Sequence, residues 1–521
     1  MAARFATTVL FALAAAQSQS YLSVLKHPEL GLLELAPAQQ HTPLDAALQH
    51  LRPPPPFVPP SPRLFVGLSV FRDGDRCGYT IFTGFQRASH PERLRFGVID
   101  QVATDDVTCI DAYCKLAKNQ WPSHECQYKD HITVESRPAG ASRGPTYARH
   151  LQQQLIHADD DFCLQLDAHS VFTNDWDAAL LREWERTENE MAVLTTYLHD
   201  LHGYVGGDGK NWPPSQLPHL CTTTRGGSGC VRNVGASMLH HPQRPQMTAL
   251  FGAGLSFSKC HAEKRVLVDP HTPWLFDGEE FLRASHLWTH GYDLYSPSIS
   301  VIYHNYSSVP NRFFALPVDA ALRERETTMG RNRYNLVLGL PVDGPVTTAD
   351  LDRYGFGSAR SLQAYLAFAG IDLNTNNDAQ SCKQLHWQPY TNACDVEALV
   401  GRGWRMEPTA RQSPMAMVDD VAPLGILSEL EALAPENARA SLVAESSTMA
   451  LETLPPPAAV QRNYEAVPPH AMASAKQLIV RVPYQLHVMI AVVAMLGAVI
   501  AFAAHANRKH KRRVRKNMMT K

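Results

Sequence analysis

The chain is 521 residues long, with a formal charge of −2, 45% apolar residues and 19% charged ones. That length holds one large domain or two ordinary ones with further segments. A balance so close to neutral excludes a globally basic nucleic-acid binder and a chain built around an acidic partner.

In chain order, residues 1–20 carry one early Arg4, an apolar run from Val9 to Ala16 and small residues before Gln17 and Ser18, the pattern of a cleaved secretory signal. Residues 21–62 read as an irregular spacer ending in the polyproline stretch R-P-P-P-P-F-V-P-P-S-P. The folded body is expected from residue 63. Leu64 to Phe71 is a β-rich run that stops at Arg72-Asp73-Gly74. Cys77 to Ser89 has the residue types of a helix, and Leu94 to Val102 is a second strand. Strand, helix, strand opens a parallel α/β sheet, whose ligands bind beyond the carboxyl ends of the strands, here at Arg72, Asp73, Asp100 and Gln101. An insertion then brings Cys109, Cys114 and Cys126 close enough to share a knot. Ile132 to Glu135 is a short strand. After it, A-G-A-S-R-G-P-T-Y-A-R (Ala139 to Arg149) sets Arg143 and Arg149 around a helix start suited to an anion.

The stretch Asp159 to Trp176 is the most informative. Phe162, Leu164 and Leu166 predict a buried strand closing on Asp167-Ala168-His169. Side chains two apart on a strand share a face, so Asp167 and His169 converge at its end. A carboxylate with an imidazole suits a divalent metal of intermediate hardness such as Mn²⁺; the alternative is an acid and a histidine in a polar loop. Trp176 to Asn189 follows as an amphipathic helix and Met191 to Tyr197 as a strand. Leu201 to Ser237 reads as a long loop, with Cys221 and Cys230 a plausible disulfide and acceptor contacts expected along it. Met247 to Phe257 reads as one strand with two glycines. In P-H-T-P-W-L-F-D-G-E-E-F-L-R-A, Asp277, Glu279 and Glu280 gather at a glycine turn and helix start, as a candidate site or as simple capping acids. A later apolar run, Ile299 to Tyr303, ends on His304, next to the sequon Asn305-Tyr306-Ser307.

Beyond a catalytic body at 63–400, residues 401–483 are rich in Ala, Pro, Glu and Ser and read as a low-complexity stem. The apolar run Val488 to Ala504 marks a transmembrane helix at 486–506, and the tail 507–521 carries R-K-H-K-R-R-V-R-K. Positive flanks stay cytosolic, so the expected topology is single-pass with a lumenal body. Ten cysteines, an even number, fit an oxidising lumen.

Taken together, R-D, R-G-P-x-x-A-R, L-Q-L-D-A-H with W-D after it, F-D-G-E-E, L-W-T-H-G-Y-D-L-Y-S-P and a closing Y-H resemble the polypeptide α-N-acetylglucosaminyltransferases, from about Leu64 to about Leu373. The resemblance implies an α/β fold of GT-A type, a nucleotide-sugar-binding mixed sheet flanked by helices. It implies Asp167 and His169 as the D-x-H pair, His304 as the later metal ligand, and Mn²⁺ as the ion. Arg72 and Asp73 match the first-strand end that meets the nucleotide, Arg143 and Arg149 the phosphate-side arginines. Glu279 and Glu280, with Asp277 in the same group, fall where the donor sugar is contacted, although this chain has F-D-G-E-E in place of W-G-G-E-N. The implied activity moves N-acetylglucosamine from UDP-GlcNAc to a Ser, Thr or hydroxyproline hydroxyl of a polypeptide, with retention, at a secretory membrane such as the Golgi. Two other readings stand beside it: the same fold with another UDP-sugar or a glycan acceptor, and a non-catalytic, membrane-tethered sugar-binding module.

Overall fold

A computed structural model of the protein describes residues 22–402 apart from 49, 308–310 and 312. The described residues belong to the first of two units, Met1–Ser413. The expected signal (1–20), nearly all of the stem, the membrane span at 486–506 and the basic tail lie outside them. No described helix is long and apolar enough to cross a membrane.

The amino-terminal hairpin is the first departure from expectation. Residues 21–62 are not an irregular spacer: β1 (Ser23–His27) and β2 (Gly31–Leu35) pair antiparallel, opposite Gly31 with its φ of 74°. Burying Leu25 and Leu35 against Leu239 and the Cys221–Cys382 pair holds this hairpin to the body. Even the polyproline run is seated, since Pro54 accepts a hydrogen bond from the Glu190 amide at 2.7 Å.

Next come β3 (Leu64–Phe71), β4 (Leu94–Val102), β5 (Ile132–Pro138) and β6 (Phe162–Asp167). β3 and β4 carry near-continuous apolar runs, the signature of strands covered on both faces. Val66, Leu68, Phe96, Val98 and Leu164 are all fully buried. β7 (Ser170–Phe172) and β8 (Ala192–Thr195) follow, then β9 (Gln216–His219), β10 (Thr223–Arg225), β11 (Val231–Asn233) and β12 (Ser237–His240). The segment Leu201 to Ser237 is therefore no single long loop. β9 and β12 complete a four-stranded sheet with β1 and β2, while β10 and β11 form a separate hairpin.

The expected strand Met247 to Phe257 is two strands, β13 (Gln246–Thr248) and β14 (Leu255–Lys259). The break falls where the chain runs too close to its neighbour for side chains: a Cβ on Gly252 would stand 2.7 Å from the Thr196 carbonyl carbon. With β15 (Asp293–Ser296), these strands form one eight-stranded mixed sheet in the order β13-β15-β8-β14-β6-β3-β4-β5. β3, β4, β5 and β6 run parallel, and β14 is antiparallel to both β6 and β8. β16 (Ile302–His304) pairs with β7 outside it. Helices pack on the sheet, among them Gly74–Gln86, Cys109–Gln120 and Glu279–Thr289.

Four disulfides cross-link the described residues: Cys77–Cys109, Cys114–Cys126, Cys163–Cys260 and Cys221–Cys382. The expected three-cysteine knot is thus two separate bridges, and Cys221 does not pair with Cys230. Cys230 lies buried and free beside Gly278 and Tyr334, in the turn of the β10–β11 hairpin, whereas Cys221 lies between β9 and β10. Cys221–Cys382 spans 161 residues, the longest separation of the four. In the chain-entropy view such a closure is worth about 3–5 kcal/mol. The double variant Cys221→Ala/Cys382→Ala is accordingly expected to melt well below the wild type in calorimetry, and an unchanged melting temperature would contradict this.

Candidate active site

The site is assembled at the carboxyl ends of β3 and β6, where open α/β sheets present their ligand crevice. Ser69 of β3 lies beside Asp167 of β6 in register, so the segment Arg72-Asp73 and the segment Asp167-Ala168-His169 leave the sheet side by side. β7 then pairs with β16 so that His304 faces Ser170, one residue beyond His169. This pairing brings in the third residue from far along the chain. Ligand atoms of Asp167, His169 and His304 all lie within 4.8 Å of one another, and the two imidazole centroids are 4.5 Å apart.

The turn is tied from beneath by Thr80, a residue that carries no motif or pattern to single it out in the sequence. Its hydroxyl reaches the carbonyls of Ala168 (3.0 Å) and Ser170 (2.8 Å) and accepts from the Ser170 amide at 3.0 Å. The His304 strand is fixed by the His304 amide to the His199 carbonyl at 2.8 Å and by the Asn305 amide to the His169 carbonyl at 2.9 Å. Thr80→Val keeps the shape but leaves buried backbone groups without a partner, a loss of about 1–3 kcal/mol. We expect a lower melting temperature and a metal requirement raised about tenfold, as for outer-shell partners of metal ligands; an unaltered metal titration would sink that role for Thr80.

Charge is arranged tightly around the cluster. Burial acts to raise the Asp167 pKa, but His304 at 3.4 Å, His169 and Arg149 outweigh it and hold the carboxylate below its usual range. Burial lowers the His169 pKa, against the pull of Asp167, leaving a neutral imidazole at pH 7. Asp73 stands 3.6 Å from His169 Nδ1 and is itself held by Arg76 at 2.7 Å. Arg149 donates to Glu279 at 2.7 Å and lies 3.8 Å from Asp167. Burial first, and Glu280 in addition, push Glu279 up to about 7 against the pull of Arg149.

One carboxylate and two imidazoles make a donor set for Mn²⁺ or a similar first-row ion. His304 turns Nε2 toward Asp167 Oδ2 at 3.4 Å, and its Nδ1 is buried with no hydrogen-bond partner among the described residues. With metal–ligand bonds of about 2.1 Å, neighbouring ligand atoms sit about 3 Å apart, so the three side chains need close in only slightly. The residues present therefore fit a divalent ion. A second grouping, His27 with Cys221 and Cys382, does not, because its two sulfurs are bonded to each other.

Three of the residues singled out from sequence are directed elsewhere. Arg72, at φ 50°, forms a two-pronged pair with Asp106 at 2.7 and 2.9 Å. Arg143 pairs with Glu326 at 2.8 Å and lies over Trp274. Asp277 faces the β10–β11 hairpin, 3.7 Å from Arg232, because Gly278 at φ 102° turns the chain between it and Glu279. Asp73 sits against His169, and Glu280 is bonded to the Ala253 amide, Tyr197 and Asn233. Tyr197 and Asn233, both bonded to Glu280, carried no signal in sequence; they lie 83 and 47 residues from it.

Residues 63–123 and 114–375 match the family model described as Glycosyltransferase (GlcNAc). The chain belongs to this glycosyltransferase family. Among solved structures it is similar to GalNAc-T7 with UDP, GalNAc and Mn²⁺, at 15% identity and a TM-score of 0.37, covering 60% of this chain and 57% of that one. It is also similar to Staphylococcus aureus TarS 1–349 in complex with UDP-GlcNAc, at 11% identity and a TM-score of 0.30, covering 53% of this chain and 73% of that one. No curated protein matches it at the significance required. The GlcNAc glycosyltransferase match spans β3 through the helix Leu362–Ala369, and so includes every residue of the cluster.

Proposed function

We propose that the protein transfers N-acetylglucosamine from UDP-GlcNAc to a Ser, Thr or hydroxyproline hydroxyl of a polypeptide, on a GT-A-type fold and with the anomeric configuration retained. The observation that carries this reading is the convergence of Asp167, His169 and His304 at the carboxyl end of the sheet, beside the buried Arg149. The family supports the sugar. A bound divalent ion would supply positive charge to the departing diphosphate.

The chain's own groups do the rest. Asp167 presents an ionised carboxylate and His169 a neutral imidazole, the protonation states a metal site needs. Asp73, 3.6 Å from His169 Nδ1, sets a negative charge beside that ring. Arg149 stays cationic beside Asp167 and Glu279, within reach of an anionic donor entering the crevice. Glu279, with its pKa near neutrality, holds or releases a proton at the donor side. Four disulfides fit a secretory compartment, and we place the catalytic body in its lumen, with the 486–506 segment as the anchor and the Golgi as the membrane.

The test is a purified lumenal fragment, Tyr21 to Pro483, given Mn²⁺, a panel of UDP-sugars and Thr- or hydroxyproline-containing peptides, with UDP release and peptide mass both followed. Transfer of one N-acetylhexosamine from UDP-GlcNAc is the expected result. Transfer from another UDP-sugar, or to glycans only, would overturn the donor or acceptor part of the reading; no turnover of any donor would favour a membrane-tethered sugar-binding module.

A further inference from the structure

Between β13 and β14 the chain passes through Gly252-Ala253-Gly254, directly against the metal cluster. A Cβ on Gly254 would stand 3.5 Å from Asp167 Oδ2, and the Gly254 carbonyl accepts from the Asp167 amide at 3.4 Å. This turn therefore helps to fix Asp167, alongside the pairing of β6 with β3. Beyond its bond to Asp167, the backbone of this turn is held largely by side chains.

The middle residue is gripped at both of its backbone groups. Its carbonyl, on Ala253, accepts from Gln165 at 3.1 Å and from Arg149 at 3.4 Å. Its amide donates to Glu280 Oε1 at 2.9 Å. The other oxygen of Glu280 accepts from the Tyr197 hydroxyl at 2.6 Å and from Asn233 Nδ2 at 3.0 Å. Asn233 also donates to the Phe251 carbonyl at 2.8 Å, at the start of the same turn. Glu280 thus accepts from three donors, all of them protein groups, whereas among the described residues the Glu279 carboxylate accepts one hydrogen bond, from Arg149. Neighbours in sequence, the two glutamates face different tasks.

Resting on the metal-assisted transferase reading above, we infer that Glu280 is a positioning residue: with Tyr197 and Asn233 it clamps the Gly252–Gly254 turn that helps to fix Asp167 in the metal cluster, and Glu279 alone of the pair faces the donor. The β10–β11 hairpin is part of this device, since Asn233 ends β11. Arg225, at the end of β10, moors that hairpin through a two-pronged pair with Asp378 at 2.6 and 2.9 Å. The clamp acts on the metal ligand through backbone, so its loss weakens metal binding without removing a ligand.

The experiment compares wild type, Tyr197→Phe, Glu280→Gln and the double variant by three readouts: thermal unfolding, calorimetric titration of Mn²⁺ in the presence of UDP, and donor turnover. Each single variant is expected to fold, to bind Mn²⁺ about tenfold more weakly and to lose turnover by a similar factor. Because the two residues act as one unit, the double variant is expected to be no worse than Glu280→Gln alone. Extra Mn²⁺ is expected to restore part of the turnover of Tyr197→Phe. Unchanged Mn²⁺ binding in folded single variants, or losses that multiply in the double variant, would overturn the clamp. If the wild type binds Mn²⁺ with UDP but turns over no donor, the transferase reading falls and the clamp is judged on the titrations alone. If the wild type binds no Mn²⁺, the clamp falls with the metal site.

Discussion

Asp167→Asn and His304→Ala are expected to reduce donor turnover at least about 10³-fold while leaving the fold intact, because each removes a ligand from a three-residue cluster. Asp167 also carries the charge that His169, His304 and Arg149 all face. Its amide neighbour would keep the volume and the hydrogen bond of its backbone to Gly254. Melting temperatures within a few degrees of wild type, with Mn²⁺ binding weakened at least about tenfold in titration, are the expected pair of results. Turnover preserved in His304→Ala would mean that β16 is brought to the site for packing only.

Glu279→Gln has the second largest expected effect, and it acts in opposite directions on activity and stability. Turnover is expected to fall about 10²-fold or more, the loss typical of a preorganised group facing the reacting centre. Stability in the metal-free protein follows from the raised pKa, about 7 in the fold against an ordinary value of 4.5. A carboxyl group whose folded pKa is raised stabilises the fold fully below about pH 4.5, and that contribution is lost as pH rises through about 7. At pH 8 the wild type therefore bears the cost of a buried, ionised Glu279, tempered by Arg149. A neutral glutamine removes this cost, for a gain of up to roughly 3 kcal/mol at pH 8 and little change at pH 4.5. Denaturant unfolding at the two pH values measures it; equal destabilisation at both would contradict the buried-acid picture.

How much of this is legible beforehand depends on the range over which each feature is determined. β4 begins and ends where its β-rich run does, as does β3, because buried parallel strands write their whole length as apolar residues. Asp167 and His169 are readable from strand periodicity, and His304 from the end of a second apolar run. Their meeting is not, since it depends on β7 pairing with β16 across some 130 residues. The acidic group at 277–280 is visible as composition, but its division is not: the positive φ of Gly278 sends Asp277 outward, and Tyr197 and Asn233 claim Glu280. Arg143 and Arg149 look equivalent in R-G-P-T-Y-A-R, yet a helix far along the chain supplies Glu326 for the first. The Cys221 pairing escapes a sequence reading for the same reason, because Cys230 is near in the chain and Cys382 is 161 residues away. In the amino-terminal hairpin, the exposed edge strand β2 breaks the alternation that would have marked it as a strand.

The measurement that tests the central claim most directly is pulsed electron paramagnetic resonance of Mn²⁺ bound with UDP, in the wild type and in His169→Ala and His304→Ala. Three chain residues, two of them histidines, are held to ligate the ion. The predicted spectrum therefore shows nitrogen couplings from two imidazoles in the wild type and from one in each variant that retains the ion. A wild-type spectrum without nitrogen coupling, or one that both substitutions leave unaltered, would contradict the assignment of Asp167, His169 and His304 as the metal site.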